Sequence, residues 1–369
     1  MNKIIFSGAF LWGALTMAQA NPLKTPSISG NALFLYTNSN YNNEDASTSR
    51  NGLDIQEAEL SFYSEVDPYS RLNMLLTVHP NYTFNTVTQK VEQQWAVEPE
   101  ELYAESSELP SLLLRIGKFK AAVGKHNQLH THAFPFVDAP LVNDRLLGTE
   151  GLNDVGVSAA YLLPTFWFNE FTFQYLRGEG ENSEFNSPAS GDGVGVAHWK
   201  NLLDLSDSAT VELGASYAQG DNYLHGRTAI SGADLTLKWR PTEGGRYHSW
   251  ILAGEWLNRR LDQPGTSAES GTGYDIWTQY QLAERWAASL RYDTVTFDKS
   301  SAVFNTAAVA NDSTSKETLG FTFTPSEFSS YKLEGSQLHG PARNNGDTNE
   351  RKIYFQANFT IGAHPAHSY

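Results

Sequence analysis

A chain of 369 residues carrying 41 acidic against 26 basic side chains, for a formal charge of −15, is a poor partner for nucleic acid or an anionic membrane face. It has no cysteine, so disulfides cannot stabilise it, and 20 Phe, 17 Tyr and 9 Trp against 3 Met favour strands over helices. Mean hydropathy of −0.41, with no 18-residue apolar run past the N-terminus, excludes transmembrane helices but not a membrane β-barrel, in which only alternate strand residues face lipid.

Lys3 precedes an apolar run from Ile4 to Met17 that ends in Ala18-Gln19-Ala20. A basic start, a short apolar stretch and small residues at −3 and −1 predict a secretory signal peptide over 1–20, with the mature chain starting at Asn21 and forming one domain over 21–369. From about Ser27 onward the pattern has period two. Leu72, Met74, Leu76 and Val78 alternate with Arg71, Asn73 and Thr77; Val211, Leu213, Ala215 and Tyr217 with Thr210, Glu212, Gly214 and Ser216. Leu235, Leu237 and Trp239 alternate with Asp234, Thr236 and Lys238, and Ile353, Phe355, Ala357, Phe359 and Ile361 with Tyr354, Gln356, Asn358 and Thr360. Strict alternation is the signal of strands with two unlike faces.

Connection lengths separate a soluble sandwich from a membrane barrel. About sixteen strand candidates are joined by connections that alternate short and long. Short turns are expected at Asp67-Pro68, 108–110, Pro164-Thr165, 205–207, 241–245, Ala283-Glu284 and 325–327. Long polar loops are expected over 38–52, 79–91, 120–154, 178–191, 219–227, 260–273, 299–313 and 339–349. The reading is therefore all-β: a closed antiparallel up-and-down transmembrane barrel with periplasmic turns and extracellular loops, its open edges removed by closure. Aromatics near strand ends, among them Trp239, Trp250, Trp256, Trp286, Tyr331 and Phe166 to Phe168, fit interfacial girdles. Lipid bilayer and lipopolysaccharide outside, and small solutes or ions inside, are the partners such a barrel implies; a homotrimer would be compatible with it.

The stretch Val97-Glu98-Pro99-Glu100-Glu101-Leu102-Tyr103, followed by Leu109-Pro110 and Leu112 to Lys120 with Gly117-Lys118-Phe119, resembles the phosphate-selective porin (O and P type) superfamily. The run His126 to His132, Phe136 to Val142 and Gly148 to Asp154 is similar to proteobacterial proteins labelled zinc-regulated TonB-dependent outer-membrane receptors. The close likeness covers about Asp54 to Pro164. The resemblance implies a porin-type barrel whose third long loop folds inward. It does not imply receptor mechanism here, since 22 strands plus a plug need a longer chain, nor phosphate selectivity, since acids (Glu57, Glu59, Glu212, Asp234, Glu255, Asp293) mix with bases (Arg71, Lys238, Arg240, Arg291, Lys332) on the inward faces.

By that analogy the third loop, 120–154, forms a constriction. Arg115, Lys118, Lys120, Lys125 and Arg145 facing Asp138 and Asp144 would set an orienting field across it. His126, His130 and His132 form the densest histidine cluster and are the candidate Zn²⁺ ligands, completed by Asp138 or Asp144; solvated or hydrogen-bonded loop histidines are the plainer alternative. No cofactor is expected. No Gly-x-Ser-x-Gly, His-Glu-x-x-His or phosphate loop is present, and His198 lacks an evident serine partner, so an enzyme is not expected. The expected function is a passive porin-like channel for small hydrophilic solutes or ions, with a metal-related preference entertained. The alternative is a binding, adhesion or metal-binding barrel with a closed lumen.

Overall fold

The computed structural model describes residues 26–40, 51–85, 87–88, 90–180, 184–187, 193–265, 267–298, 312–340 and 349–362. The expected signal peptide and its cleavage site lie outside them. Sixteen strands close into one antiparallel barrel, each paired to its sequence neighbours and the first to the last. They are β1 (Ser27–Ser39), β2 (Gly52–Asp67), β3 (Ser70–Asn85), β4 (Lys90–Ser106), β5 (Leu112–Lys120), β6 (Asn153–Leu162), β7 (Phe168–Leu176) and β8 (Val194–Ser206). The other half is β9 (Ala209–Asp221), β10 (Arg227–Trp239), β11 (Trp250–Leu261), β12 (Glu269–Ala283), β13 (Trp286–Phe297), β14 (Asp312–Ser326), β15 (Ser329–His339) and β16 (Asn349–Gly362).

The alternation read from sequence becomes the two faces of the wall. On β16 Glu350, Tyr354 and Gln356 are buried inside while Ile353, Phe355, Phe359 and Ile361 stand exposed outside. The same inversion, apolar out and polar in, recurs at Leu213 and Leu235 against Thr236 and Asp234. In water it would waste the hydrophobic effect; against hydrocarbon it is the stable arrangement. Near the short-turn end, Trp286, Phe323 and Tyr331 stack in series (4.5 and 6.4 Å between centroids), and Tyr331 passes the contact on to Phe359 (5.9 Å) and Phe359 to Phe34 (6.2 Å). Such a row is what an interfacial girdle requires.

Three boundaries differ from the expectation, the first being the supposed loop 260–273, into which β12 extends from Glu269. The supposed loop 79–91 is mostly strand, because β3 and β4 pair from Asn85–Lys90 downward; its polar Asn, Thr and Gln residues satisfy a ladder above the bilayer as well as they would a loop. The β10–β11 connection runs from Arg240 to Ser249 and is longer than a tight turn, so Arg240 lies outside the lumen, donating to the carbonyl of Gly245.

The ladders of β2 and β4 each carry a bulge. Leu33 opposes Glu57 and Phe34 opposes Ile55, leaving Gln56 extra on β2; Leu75 opposes Glu101 and Leu76 opposes Pro99, leaving Glu100 extra on β4. A bulge breaks the in-out alternation locally. Consecutive Glu100 and Glu101 are therefore both buried, and Gln56 reaches the lumen beside Glu57.

Candidate functional site

Residues 121–152 join β5 to β6 and fold into the barrel, carrying two short 3-10 turns (His126–Gln128 and Thr131–Ala133) and helix α1 (Leu141–Leu147). The loop touches the inward side chains of strands all around the wall. Ala122 N–H donates to Gln174 on β7 (2.9 Å), Gly124 N–H to Ser216 on β9 (3.1 Å) and Val137 N–H to Glu334 on β15 (3.0 Å). At the same residue Gln56 Nε2 of β2 donates to Val137 O (3.2 Å).

Its main dock is a row of acids. Asp234, Glu255, Asp275 and Asp293 stand directly opposite one another across β10, β11, β12 and β13, all buried. Like charges so placed repel, and the loop supplies donors to offset this. Glu255 Oε2 accepts the backbone N–H groups of Lys125 and His126 (2.7 and 3.0 Å), Glu255 Oε1 accepts Asn143 Nδ2 (2.6 Å), and Asp293 accepts Leu141 N–H (3.2 Å) and Arg291 Nε (2.8 Å). Gly124 permits the approach: its φ is +66°, and a Cβ there would sit 2.4 Å from the Glu255 carboxyl carbon.

The second anchor is Asp138. Arg291 donates to its carboxylate (2.6 Å) and to its backbone oxygen (2.8 Å), and Lys316 pairs with the other carboxylate oxygen. Burial opposes the charge, but Lys316 and Arg291 outweigh it and hold Asp138 well below the usual carboxylate range. A depressed value makes the contribution fully present above the unfolded carboxylate range and lost only as pH falls through the folded value, so this latch is expected to hold at any pH above about 4.

Above the acid row, α1 lies against β11 to β13, and Val142, Leu146 and Leu147 pack with Phe119, Leu176, Leu257, Val295 and Phe297 into an apolar core inside the barrel. The β7–β8 connection contributes too. Phe185 joins this core, and Glu184 pairs at 2.7 Å with Arg259, which is fully buried and also pairs with Glu269. Replacing Arg259 with alanine strands two carboxylates in a desolvated site; a loss of about 3–5 kcal/mol is expected, read as a lower melting temperature of the detergent-solubilised barrel.

On the side of β2–β5 and β8–β10 the lumen keeps a cavity of about 300 Å³. Arg115, Lys120, Lys125 and Lys200 line it with Glu101, Glu212, Asp234, Tyr63 and Tyr103. Arg115 lies over the Tyr103 ring (4.0 Å) and 3.2 Å from Glu105; Lys125 Nζ is 2.9 Å from Glu212; Lys120 Nζ is 2.8 Å from Glu100. Of the residues expected at a constriction, Arg115, Lys120 and Lys125 meet at this cavity. Asp138 sits on the opposite wall, Lys118 lines a smaller cavity with Glu57, Glu98 and Glu150, and Asp144 and Arg145 face each other (3.7 Å) on α1.

The histidines divide. His130 is clamped between Glu100 (Nδ1, 3.1 Å) and Glu101 (Nε2, 3.2 Å); burial works against its charge, but the hydrogen bonds and attraction of these two acids push its pKa up to about 10. Its ring stacks on His132 (5.9 Å, 4°), whose Nδ1 is 2.5 Å from Glu59 Oε2. His126 stands apart against Phe134 (4.4 Å), its pKa pushed down to about 3 by burial and by the positive charges of Arg291 and Lys120. Asp138 and Asp144 do not join any histidine. The acids around His130 and His132 come instead from β2 (Glu59) and β4 (Glu100 and Glu101), and the bulge is what turns Glu100 inward beside Glu101.

Solved structures with this architecture are outer-membrane proteins, a porin and a channel among them. The anion-selective porin from Comamonas acidovorans matches with a TM-score of 0.61 at 12% identity, over 91% of this chain and 99% of that one. The fold is that of outer-membrane porins. The outer membrane channel DcaP of Acinetobacter baumannii matches with a TM-score of 0.55 at 11% identity (91% and 96% covered), and opdK of Pseudomonas aeruginosa with 0.51 at 10% (92% and 100%). A protein of Aquifex aeolicus (strain VF5), described as uncharacterized, is 27% identical over 351 residues, covering 87% of this chain and 71% of that protein. No family model matches. With its apolar outer band and closed barrel, the chain is a protein of the Gram-negative outer membrane. None of these comparisons supports the receptor label.

Proposed function

We propose that the barrel is a passive, porin-like channel for small hydrophilic solutes or ions, without cofactor or energy input. The observation that carries this is the polar lumen with an inward loop that leaves a charged cavity of about 300 Å³ beside it. Cations at Arg115, Lys120, Lys125 and Lys200 face carboxylates at Glu101, Glu212 and Asp234, a transverse arrangement that orients dipolar solutes rather than selecting one sign of charge. That the Comamonas porin is described as anion-selective does not carry over at 12% identity.

The test is conductance in planar bilayers. Stable open steps are expected, with a modest reversal potential in a salt gradient that Arg115→Glu shifts toward cation preference. An electrically silent wild-type barrel refutes the reading. One observation favours a second reading: the apolar core around α1 fills part of the lumen, as it would in a closed barrel that presents its loops for binding or adhesion. The same recording separates the two.

A further inference from the structure

We propose that Glu57, Glu59, Glu100 and His132 form a binding site for one Zn²⁺-like divalent cation on the lumen wall, with His130 as the positioning residue. One oxygen of each glutamate lies within 4.8 Å of one from each of the others; His132 lies outside that triad, against Glu59 (2.5 Å), and has to swing inward to ligate. Glu59 and Glu100 are only 5% and 7% exposed, so water cannot disperse their mutual repulsion.

Each carboxylate has at least one oxygen that no amide, hydroxyl, amine or imidazole donor reaches among the described residues, and only a proton shared between the Glu57 and Glu59 carboxyls links them to each other. Glu100 Oε1 meets Lys120 Nζ (2.8 Å) and His130 Nδ1 (3.1 Å), while Oε2 has none. Glu57 Oε2 accepts from Thr131 Oγ1 (3.3 Å), while Oε1 has none. Glu59 Oε2 lies 2.5 Å from His132 Nδ1 as an ion-pair contact without hydrogen-bond geometry, and Oε1 has no such neighbour. Buried acceptors left this way normally cost stability, and a cation shared by the three would satisfy them together.

The donor set points to the ion. Three carboxylates and an imidazole suit zinc or a similar borderline cation; an all-oxygen cage would suit Ca²⁺ or Mg²⁺ instead. Ligands about 2.0–2.2 Å from a tetrahedral metal lie roughly 3.5 Å apart, so the glutamates close inward slightly and His132 moves further to join them. His130, bridging Glu100 and Glu101, fixes the Glu100 carboxylate as an outer partner does in metal sites. Carboxylate ligands must be ionised and a ligating imidazole neutral, so protons displaced by the cation go to buffer. The site is independent of His126, which faces Phe134.

The experiment is isothermal titration of the full detergent-solubilised chain, stripped with a chelator, using ZnCl₂. One saturable site is expected in wild type, with heat that varies with buffer ionisation. Glu59→Gln and His132→Asn should weaken it by at least about a hundredfold and His130→Gln by about 10–100-fold, whereas His126→Ala and Asp144→Asn should leave it unchanged. Should the variants fail to fold, Co²⁺ added to wild type is expected to give the intense visible absorption of a tetrahedral site. No saturable heat and no such absorption, or equal binding by Glu59→Gln, overturns the proposal. The site does not rest on the channel reading: a silent barrel that binds Zn²⁺ sinks only that reading, and a conducting barrel that does not bind sinks only this one.

Discussion

Replacing Glu255 with alanine is expected to raise single-channel conductance and lower the melting temperature together. Glu255 is the acceptor on which the inward loop rests, taking three donors from Lys125, His126 and Asn143. Hydrogen bonds to a charged group contribute about 1.5–3 kcal/mol each, and losing one partner leaves buried donors unsatisfied. Relief of repulsion within the row of Asp234, Glu255, Asp275 and Asp293 acts in the opposite direction but is smaller, because three direct bonds outweigh through-space terms spread over neighbouring strands. Asp234 tests that balance: its Oδ2 has no hydrogen-bond partner among the described residues, so Asp234→Asn is expected to be neutral or stabilising. A Glu255→Ala barrel that melts lower but conducts as wild type would show that the loop is structural and does not narrow the path.

Leu290→Arg is expected to destabilise the inserted barrel by about 2–4 kcal/mol, the cost of a cation on the lipid face near the bilayer midplane. Leu290 lies midway along β13, opposite Leu319 on β14 and exposed on the outer face. If that face met water, an exposed leucine-to-arginine change would cost almost nothing. Equilibrium unfolding from lipid bilayers distinguishes the two, and a change within about 0.5 kcal/mol would contradict a lipid-facing wall.

Much of the fold was legible because period two is a strong signal when it is repeated. Ile353 to Ile361 reads as a two-faced strand in isolation, and it is one. Hydropathy could not end β3 and β4, however, because strands that continue above the bilayer have polar residues on both faces. The inward course of the third loop came from family likeness; no local pattern in 121–152 shows where a loop will lie. Its dock was hidden for a different reason. Asp234, Glu255 and Asp293 were visible as inward acids, but their alignment with Asp275 in one row depends on register between four strands, which composition does not carry.

The histidine cluster shows the same limit. His130 and His132 share a face, as His-x-His spacing suggested, yet the carboxylates they meet are Glu59 on β2 and Glu100 and Glu101 at the β4 bulge, about thirty residues or more upstream. Glu57 and Glu59 face the lumen by plain alternation, and it is the extra residue of the β4 bulge that turns Glu100 inward to meet them. Proline at 99, which cannot donate to a ladder, is the one local hint of irregularity in β4.

If solutes cross the membrane through this lumen, swelling of liposomes containing the purified chain measures that passage directly. Swelling is expected in small sugars, slower as solute size grows, and faster at every size in Glu255→Ala. Liposomes with correctly inserted wild-type protein that do not swell in any sugar or salt, with Glu255→Ala equally inert, would contradict it.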